Sequence, residues 1–398
     1  MSETCDILVS GGGVAGLTAA ITFGAAGFKT ICVDPTPPVT ERESAGSDLR
    51  TTAFLQPARQ LLEEVGLWQR LAPHAAPLQI MRIIDAGGDE PEPRIVRDFN
   101  AQDISDQPFG WNLPNWLLRR EMLLRIQGME NVAFRVGVGT SSLFTRTREA
   151  RVTLSDGARV RAKLVVACDG RASPMREAAG IAVRTTRYGQ KALAFAVTHE
   201  ASHDNISTEI HRSGGPFTLV PLPDFQGKPS SAIVWMERAA RAQALLELPE
   251  AAFEAAINRR SCGVLGALKL ASRRTIWPII SQSAERLSAE RLALMAEAAH
   301  VVPPIGAQGL NMSLGDLRTL RDLALASPDT LGDAAMLAAY HKARHAEIAL
   351  RVKGIDLLNR SSMLEPRPLR DLRAAGLNAL YSLAPVRRNL MRMGLGVR

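Results

Sequence analysis

A glycine-rich turn set between an apolar strand and an apolar helix constrains this chain more than any other feature. Cys5 to Ser10 is a short β-prone run, Gly11, Gly12, Gly13, Val14, Ala15 and Gly16 follow at once, and the helical stretch LTAAITFGAAGF then closes at Gly27–Phe28. Lys29 to Val33 is a second apolar run that ends in Asp34, so the order is strand, turn, helix, strand. Gly11, Gly13 and Gly16 make a G-x-G-x-x-G pattern whose last glycine precedes Asp34 by 18 residues, the context that turns a weak motif into a dinucleotide fingerprint. The glycines let the backbone approach a pyrophosphate, the first helical N–H groups at Val14 and Ala15 add partial positive charge, and Asp34 can accept from ribose hydroxyls. The plain alternative is a tight glycine turn without a ligand. A single fingerprint argues against a separate nicotinamide-binding Rossmann domain.

The remaining sequence bounds the setting. At 398 residues the chain has room for two or three domains, and 46% hydrophobic against 22% charged residues excludes disorder and fibrous classes. No apolar run is long enough to span a bilayer and no signal peptide is read at the N-terminus. Cys5, Cys32, Cys168 and Cys262 are far apart and form no C-x-x-C, so a cytoplasmic setting is expected and a redox dithiol is not. The net charge is +8, and the segment Arg367–Arg398 supplies most of it, with seven arginines against Asp371. No nucleic-acid motif accompanies those arginines, so nucleic acid is not an expected partner.

Further along, residues 131–168 read as short β segments ending in the apolar strand LVVAC and then Asp169-Gly170. Residues 186–235 alternate as strands do, 239–270 read as helical, and a long helical region is predicted from about Leu314 to Leu358. Two more strings stand out. One is Asp169-Gly170-Arg171-Ala172-Ser173-Pro174-Met175-Arg176; the other runs from Ala296 through His300, Pro303, Pro304, Gly306, Gly309 and Leu310 to Asn311. Alone, each is an ordinary loop leading into a helix.

Together, the three motifs resemble the FAD-dependent aromatic hydroxylases of the para-hydroxybenzoate hydroxylase type, in their order and separations. Within that group the chain looks most like the ubiquinone-biosynthesis ring hydroxylases, a likeness carried also by Ser47–Ala53, Gly66-Leu67-Trp68, Gly215–Leu222 and the basic tail. The resemblance implies an α/β fold: a Rossmann-like FAD-binding domain with an inserted β-sheet-rich substrate domain and a C-terminal helical region. The expected division is 1–185 and 289–365 for FAD, with about 75–112 contributing to the substrate domain, 186–288 for the substrate domain, and 366–398 for a basic amphipathic tail.

The same resemblance implies FAD as cofactor, O2 as co-substrate, NAD(P)H or another reductant as electron donor, and a flavin hydroperoxide attacked by a phenol ring. The cofactor does the hard chemistry, while the protein binds, orients and excludes water. The expected substrate is a lipid-like polyprenylated phenol; a small soluble aromatic, or a non-catalytic subunit of a complex with other ubiquinone-biosynthesis proteins, are the alternatives. Cofactor contacts are expected at Gly11, Gly13, Val14, Ala15, Gly16, Asp34, Arg50, Asp169, Glu297, Gly306, Gly309, Leu310 and Asn311, with Pro303 and Pro304 shaping the flavin-side pocket. For Arg50 a surface ion pair is the equal alternative to a phosphate contact. No metal is expected, because His341 and His345 lack the glutamate of a metalloprotease helix. His300 reads as a brace rather than a base. The family has Gly-Asp where this chain has Ala296-Glu297: alanine is tolerated there if its φ is negative, Glu297 keeps the carboxylate one methylene further out, and FAD retention is expected because Asp34, Asp169 and the loop at 303–311 are intact. Leu369, Leu372, Leu377, Leu380 and Leu383 recur at helical spacing between arginines, which suits either a peripheral membrane contact or a docked helix with its arginines in water.

Overall fold

The computed structural model describes residues 3–88 and 90–396; Met1, Ser2, Asp89, Val397 and the tail's last arginine, Arg398, lie outside the described residues. The chain opens with β1 (Glu3–Ser10), α1 (Val14–Ala25) and β2 (Thr30–Asp34). Leu17, Ala19, Ala20, Ile21 and Phe23 of α1 are fully buried, so this helix is held on all sides rather than along one stripe, as its uninterrupted apolar sequence requires. The chain then leaves through β3 (Thr51–Leu55), β4 (Ile80–Asp85) and β5 (Ile95–Asn100), and returns by α2 (Asn115–Gln127), β6 (Val132–Val136) and β7 (Arg159–Ala167).

A second excursion runs through β8 (Val183–Thr198), β9 (Ile206–His211), β10 (Pro216–Phe225), β11 (Lys228–Arg238), α3 (Ala239–Glu247), α4 (Glu250–Arg260) and β12 (Thr275–Ala284). The chain closes with β13 (Leu292–Leu294), α5 (Gln308–Ala326), α6 (Ala334–Ser362), α7 (Arg367–Ser382) and α8 (Ala384–Leu395).

Strands β13, β7, β1, β2 and β6 lie side by side and parallel, in that order. Ile7–Val9, Ile31–Val33 and Leu164–Ala167 are apolar runs, buried where helices and loops cover both faces. The second sheet runs β12, β8, β11, β10, β9, β4, β5, antiparallel except where β9 meets β4. Its alternation assigns its faces. Leu193, Phe195 and Val197 of β8 join Ile233 and Trp235 of β11 in a core under α3 and α4, with Phe195 and Phe253 edge to face at 5.0 Å. Ala192 and Met236, of opposite parity, belong instead to the large core shared with the parallel sheet.

Three predicted helical stretches are revised. The reading of 239–270 as helix fails at Pro249, which starts a second helix, and again after Arg260, where Cys262 takes φ +55 and a short strand, Lys269–Leu270, follows. The region from about Leu314 is two helices, α5 and α6, parted at Pro328 and at Gly332, whose φ is +73. The tail is likewise two helices, since Pro385 occupies the first turn of α8.

The tail also turns its faces opposite to one expectation. Arg373 donates to buried Asp85 at 2.9 Å, Arg94 pairs with both Asp85 and Asp371 at 2.6 Å, and Arg387 reaches Asp103 at 3.5 Å. The docked-helix reading therefore holds for the contact but not for these arginines, which face the protein; Leu369, Leu372, Leu380 and Leu383 are exposed instead. No described helix is long and apolar enough to cross a membrane.

Candidate functional site

The C-terminal ends of β1, β2 and β7 meet at the glycine turn. Gly11 has φ +104 and donates to the Val33 carbonyl at 2.8 Å, and a Cβ there would overlap the Cys168 carbonyl. A Cβ on Gly16 would overlap the Gly11 carbonyl oxygen, so both glycines are required by close backbone approach. Gly13 caps α1 without any side-chain hydrogen bond, and nothing stands within 4 Å of where its Cβ would be. The N–H groups of the first turn, at half-buried Val14 and Ala15, thus open on free space at the positive end of the helix. Asp34 borders that space, its carboxylate accepting from Gly12 N–H at 2.5 Å and Thr36 N–H at 2.7 Å while keeping lone pairs for a hydroxyl donor.

Asp169 sits one strand over. Its Oδ2 accepts from Ser10 Oγ and Met175 N–H, both at 3.2 Å, whereas buried Oδ1 has no partner; burial pushes this carboxyl above the usual range. An orphaned buried oxygen beside a nucleotide turn fits a ligand hydroxyl. Ser173 caps the short helix after it, and buried Arg176 donates to the carbonyls of Ala298 at 3.0 Å and Arg171 at 2.9 Å. Arg176 therefore ties this segment to the turn carrying Glu297. The D-G-x-x-S-x-x-R string contained it, but without any sign that its role is to hold two motifs together.

At that turn the condition set on Ala296 fails: its φ is +54, not negative. The left-handed conformation that a glycine adopts freely is imposed here on alanine, at about 1 kcal/mol. Glu297 nevertheless projects, exposed, and feels the charge of Arg50. Arg50 itself grips Asp48 with two hydrogen bonds, of 2.8 and 2.7 Å, and lies over the Trp277 ring at 5.5 Å. The ion-pair alternative for Arg50 is thus present. Burial opposes ionisation of Asp48, but hydrogen bonds from Arg50 and Asn115 and the nearby Arg119 hold it below the usual carboxylate range. Asp48 lies in the Ser47–Ala53 string without a role of its own being read for it, and Asn115 and Arg119 come from a distant segment that no motif marks.

Beyond the turn, buried His300 meets Asp316 at 2.7 Å and Asp316 accepts from Arg344 at 2.7 Å. This chain crosses from the His300 strand to α5 and α6, which makes His300 a brace. Pro303 is buried and Pro304 exposed. Gly306 and Ala307 follow with φ +62 and +56, and α5 starts from Ala307 with no capping side chain. Its first N–H groups, at Gln308, Gly309 and Leu310, therefore form a second uncapped helix start, and α5 packs beside α1. Asn311 does something else: its Nδ2 donates to the Ala53 and Ala307 carbonyls at 2.7 and 2.6 Å and its Oδ1 accepts from Leu55 N–H at 2.9 Å, stapling α5 to β3. Among the described residues no group of three His, Cys, Asp or Glu side chains gathers as metal ligands; His341 accepts instead from Leu287 N–H at 3.3 Å.

Two helix starts for negative charge, and carboxylates at Asp34, Asp169 and Glu297 for hydroxyls, suit a dinucleotide with anionic phosphates, a ribose and a polyol. Sequence comparison agrees with that chemistry. A family profile described as FAD binding domain matches residues 4–355. Ubiquinone hydroxylase UbiL of Rhodospirillum rubrum is 32% identical over 397 residues, covering 99% of this chain and 90% of that protein. The 3-demethoxyubiquinol 3-hydroxylase of Escherichia coli is 25% identical over 400 residues, with full coverage of both chains. Among solved structures, p-nitrophenol 4-monooxygenase PnpA of Pseudomonas putida superposes with a TM-score of 0.78 at 18% identity, covering 100% of this chain and 99% of its own, a likeness of fold.

Proposed function

The chain belongs to the family defined by the FAD binding domain, and on that premise we propose that it hydroxylates the aromatic ring of a polyprenylated phenol on the route to ubiquinone. The observation that carries this reading is the alignment with the UbiL ubiquinone hydroxylase along 99% of the chain. When bound, FAD supplies the activation of dioxygen; the polypeptide has to hold it and keep the site dry.

Backbone N–H groups at Gly13, Val14 and Ala15 receive the pyrophosphate, and Asp34 accepts from the adenosine ribose. Asp169 and Glu297 serve the hydroxyls of the chain that joins phosphate to flavin, with Arg50 balancing the charge of Glu297. The start of α5, at Gln308, Gly309 and Leu310, turns N–H groups towards negative charge on the ring system, Asn311 holds that start to β3, and Pro303 and Pro304 border it. No nucleophilic side chain is needed.

The face of the second sheet that meets the large core carries Ala192 beside Met236 and Ala194 beside Val234, whereas the opposite face carries Leu193, Phe195 and Trp235. Electrons are taken to come from NAD(P)H or another reductant without a second dinucleotide domain.

Membrane contact through the tail belongs to the same reading. Leu369, Leu372 and Leu380 on α7, Leu383 between the helices, and Val386, Leu390 and Met393 on α8 are exposed, at spacings of three or four residues except for the eight from Leu372 to Leu380, a pattern that suits a lipid surface. The test is oxygen uptake by the FAD-loaded protein, with reductant, on adding matched phenols with and without a prenyl chain. Uptake stimulated chiefly by the prenylated phenol is expected. Equal stimulation by both would favour a small-aromatic hydroxylase, and stimulation by neither a non-catalytic subunit.

A further inference from the structure

We propose that an arginine-lined pocket between the second sheet, its covering helices and α7 is a binding site for a phosphate group, separate from the nucleotide turn. The pocket encloses about 420 Å³, and its described lining includes Arg212, Arg241, Arg259, Arg260 and Arg370 against a single carboxylate, Glu237. These residues come from four places in the chain: the end of β9, the junction of β11 with α3, the last turn of α4, and α7.

Two arginines of the pocket are incompletely paired within the protein. Arg260 is 5% exposed, and its Nη2 donates to the Ile210 and Gly215 carbonyls at 3.1 and 2.8 Å, but its Nη1 is buried with no partner. The Nε of Arg370, on the other side of the pocket, is likewise buried without a partner. Glu237 does not complete the pairing, since it already accepts from Arg238 N–H at 3.0 Å and lies 3.5 Å from Arg241. Burial raises the Glu237 carboxyl above its usual range, against the pull of Arg238 N–H, Arg241 and Arg260. Five arginines around one carboxylate in the described lining suit an oxyanion whose several lone pairs can meet planar N–H forks at once, and phosphate matches that geometry. The volume falls within the ordinary range of small-molecule sites, about 300–1,000 Å³, so the phosphate can bring an attached group with it.

Two sources offer this chemistry. The headgroup of an anionic phospholipid would place its phosphate beside α7, whose Leu369 and Leu372 are exposed; a soluble phosphate compound would use the same arginines without the leucines. The inference does not depend on the hydroxylase reading, because none of these residues belongs to the nucleotide site.

The experiment compares the FAD-loaded full chain with the Arg259→Ala/Arg370→Ala variant, by calorimetric titration with inorganic pyrophosphate and by flotation with vesicles of phosphatidylglycerol and phosphatidylcholine. Both substitutions lie away from the buried core, and unchanged flavin content and melting temperature verify the fold. Saturable binding of one pyrophosphate per chain, weakened about tenfold or more in the variant and only partly restored in Arg259→Lys/Arg370→Lys, which keeps the charge without the planar fork, is expected. If vesicle binding falls with it and is competed by pyrophosphate, the source is a lipid headgroup; if vesicle binding is unaltered, the source is soluble. Absence of pyrophosphate binding, or equal binding by the variant, overturns the proposal.

Discussion

At the scale of single residues, Ala296 carries the sharpest consequence. Its φ of +54 is costly for alanine, so Ala296→Gly is expected to raise stability by up to about 1 kcal/mol, read as a higher melting temperature of the flavin-free protein. A lower melting temperature would mean that the left-handed turn is not populated. Gly309 poses the opposite case. The nearest atom to a Cβ there is Val302 Cγ2 at 3.9 Å, so the polypeptide has room for a side chain. Gly309→Leu should leave the flavin-free fold within about 0.5 kcal/mol of the parent while sharply reducing flavin occupancy. If flavin stays bound with unchanged turnover, the start of α5 does not face the cofactor. The glycines of the fingerprint were legible in the sequence because their reason is local: backbone approaches backbone within a few residues. Ala296 was legible only as a departure, since a dihedral sign cannot be read from a residue's name.

At the scale of elements, the buried chain His300–Asp316–Arg344 holds the loop of the prolines to α5 and α6. Asp316 is fully buried, and removing one partner strands the other charge. Asp316→Ala should therefore cost about 3 kcal/mol or more, measured as a shift in urea midpoint at constant slope. A loss below about 0.5 kcal/mol would show that the chain is not a brace. The sequence placed His300 in a motif but offered no sign of its partners, because Asp316 and Arg344 lie 16 and 44 positions on, in helices whose apolar pattern dominates. The helix ends were legible where proline or glycine set them locally. The long helical regions broke at Pro249, Pro328 and Gly332, signals present in the sequence but outweighed by the surrounding alanine and leucine content.

At the scale of the whole molecule, the tail is latched to the second sheet through Asp85. Burial works against that carboxylate, yet hydrogen bonds from Arg373 and Arg94 keep it below the usual range. A depressed acid contributes stability that is complete above the unfolded value of about 3.9 and is lost as pH falls further. Amide hydrogen exchange over 367–395, measured against the intrinsic rate at each pH, should thus be slow at neutral pH and lose its protection only below about pH 4. Asp85→Asn should accelerate it at neutral pH, and unchanged exchange in that variant would contradict the latch. The arginine count of the tail was plain in the sequence. Which way the helix turned its arginines was not, because the acids that receive them, Asp85 and Asp103, come from the far end of the second sheet.

The central claim is that these parts together form an FAD-dependent ring hydroxylase. The most direct measurement is a single turnover of the FAD-loaded protein, reduced and then mixed with a short-chain prenylated phenol under oxygen-18 gas, with the product weighed by mass spectrometry. One heavy oxygen on the ring is the expected result. Full flavin occupancy with reoxidation to hydrogen peroxide and an unlabelled ring, across the prenylated phenols tried, would contradict it.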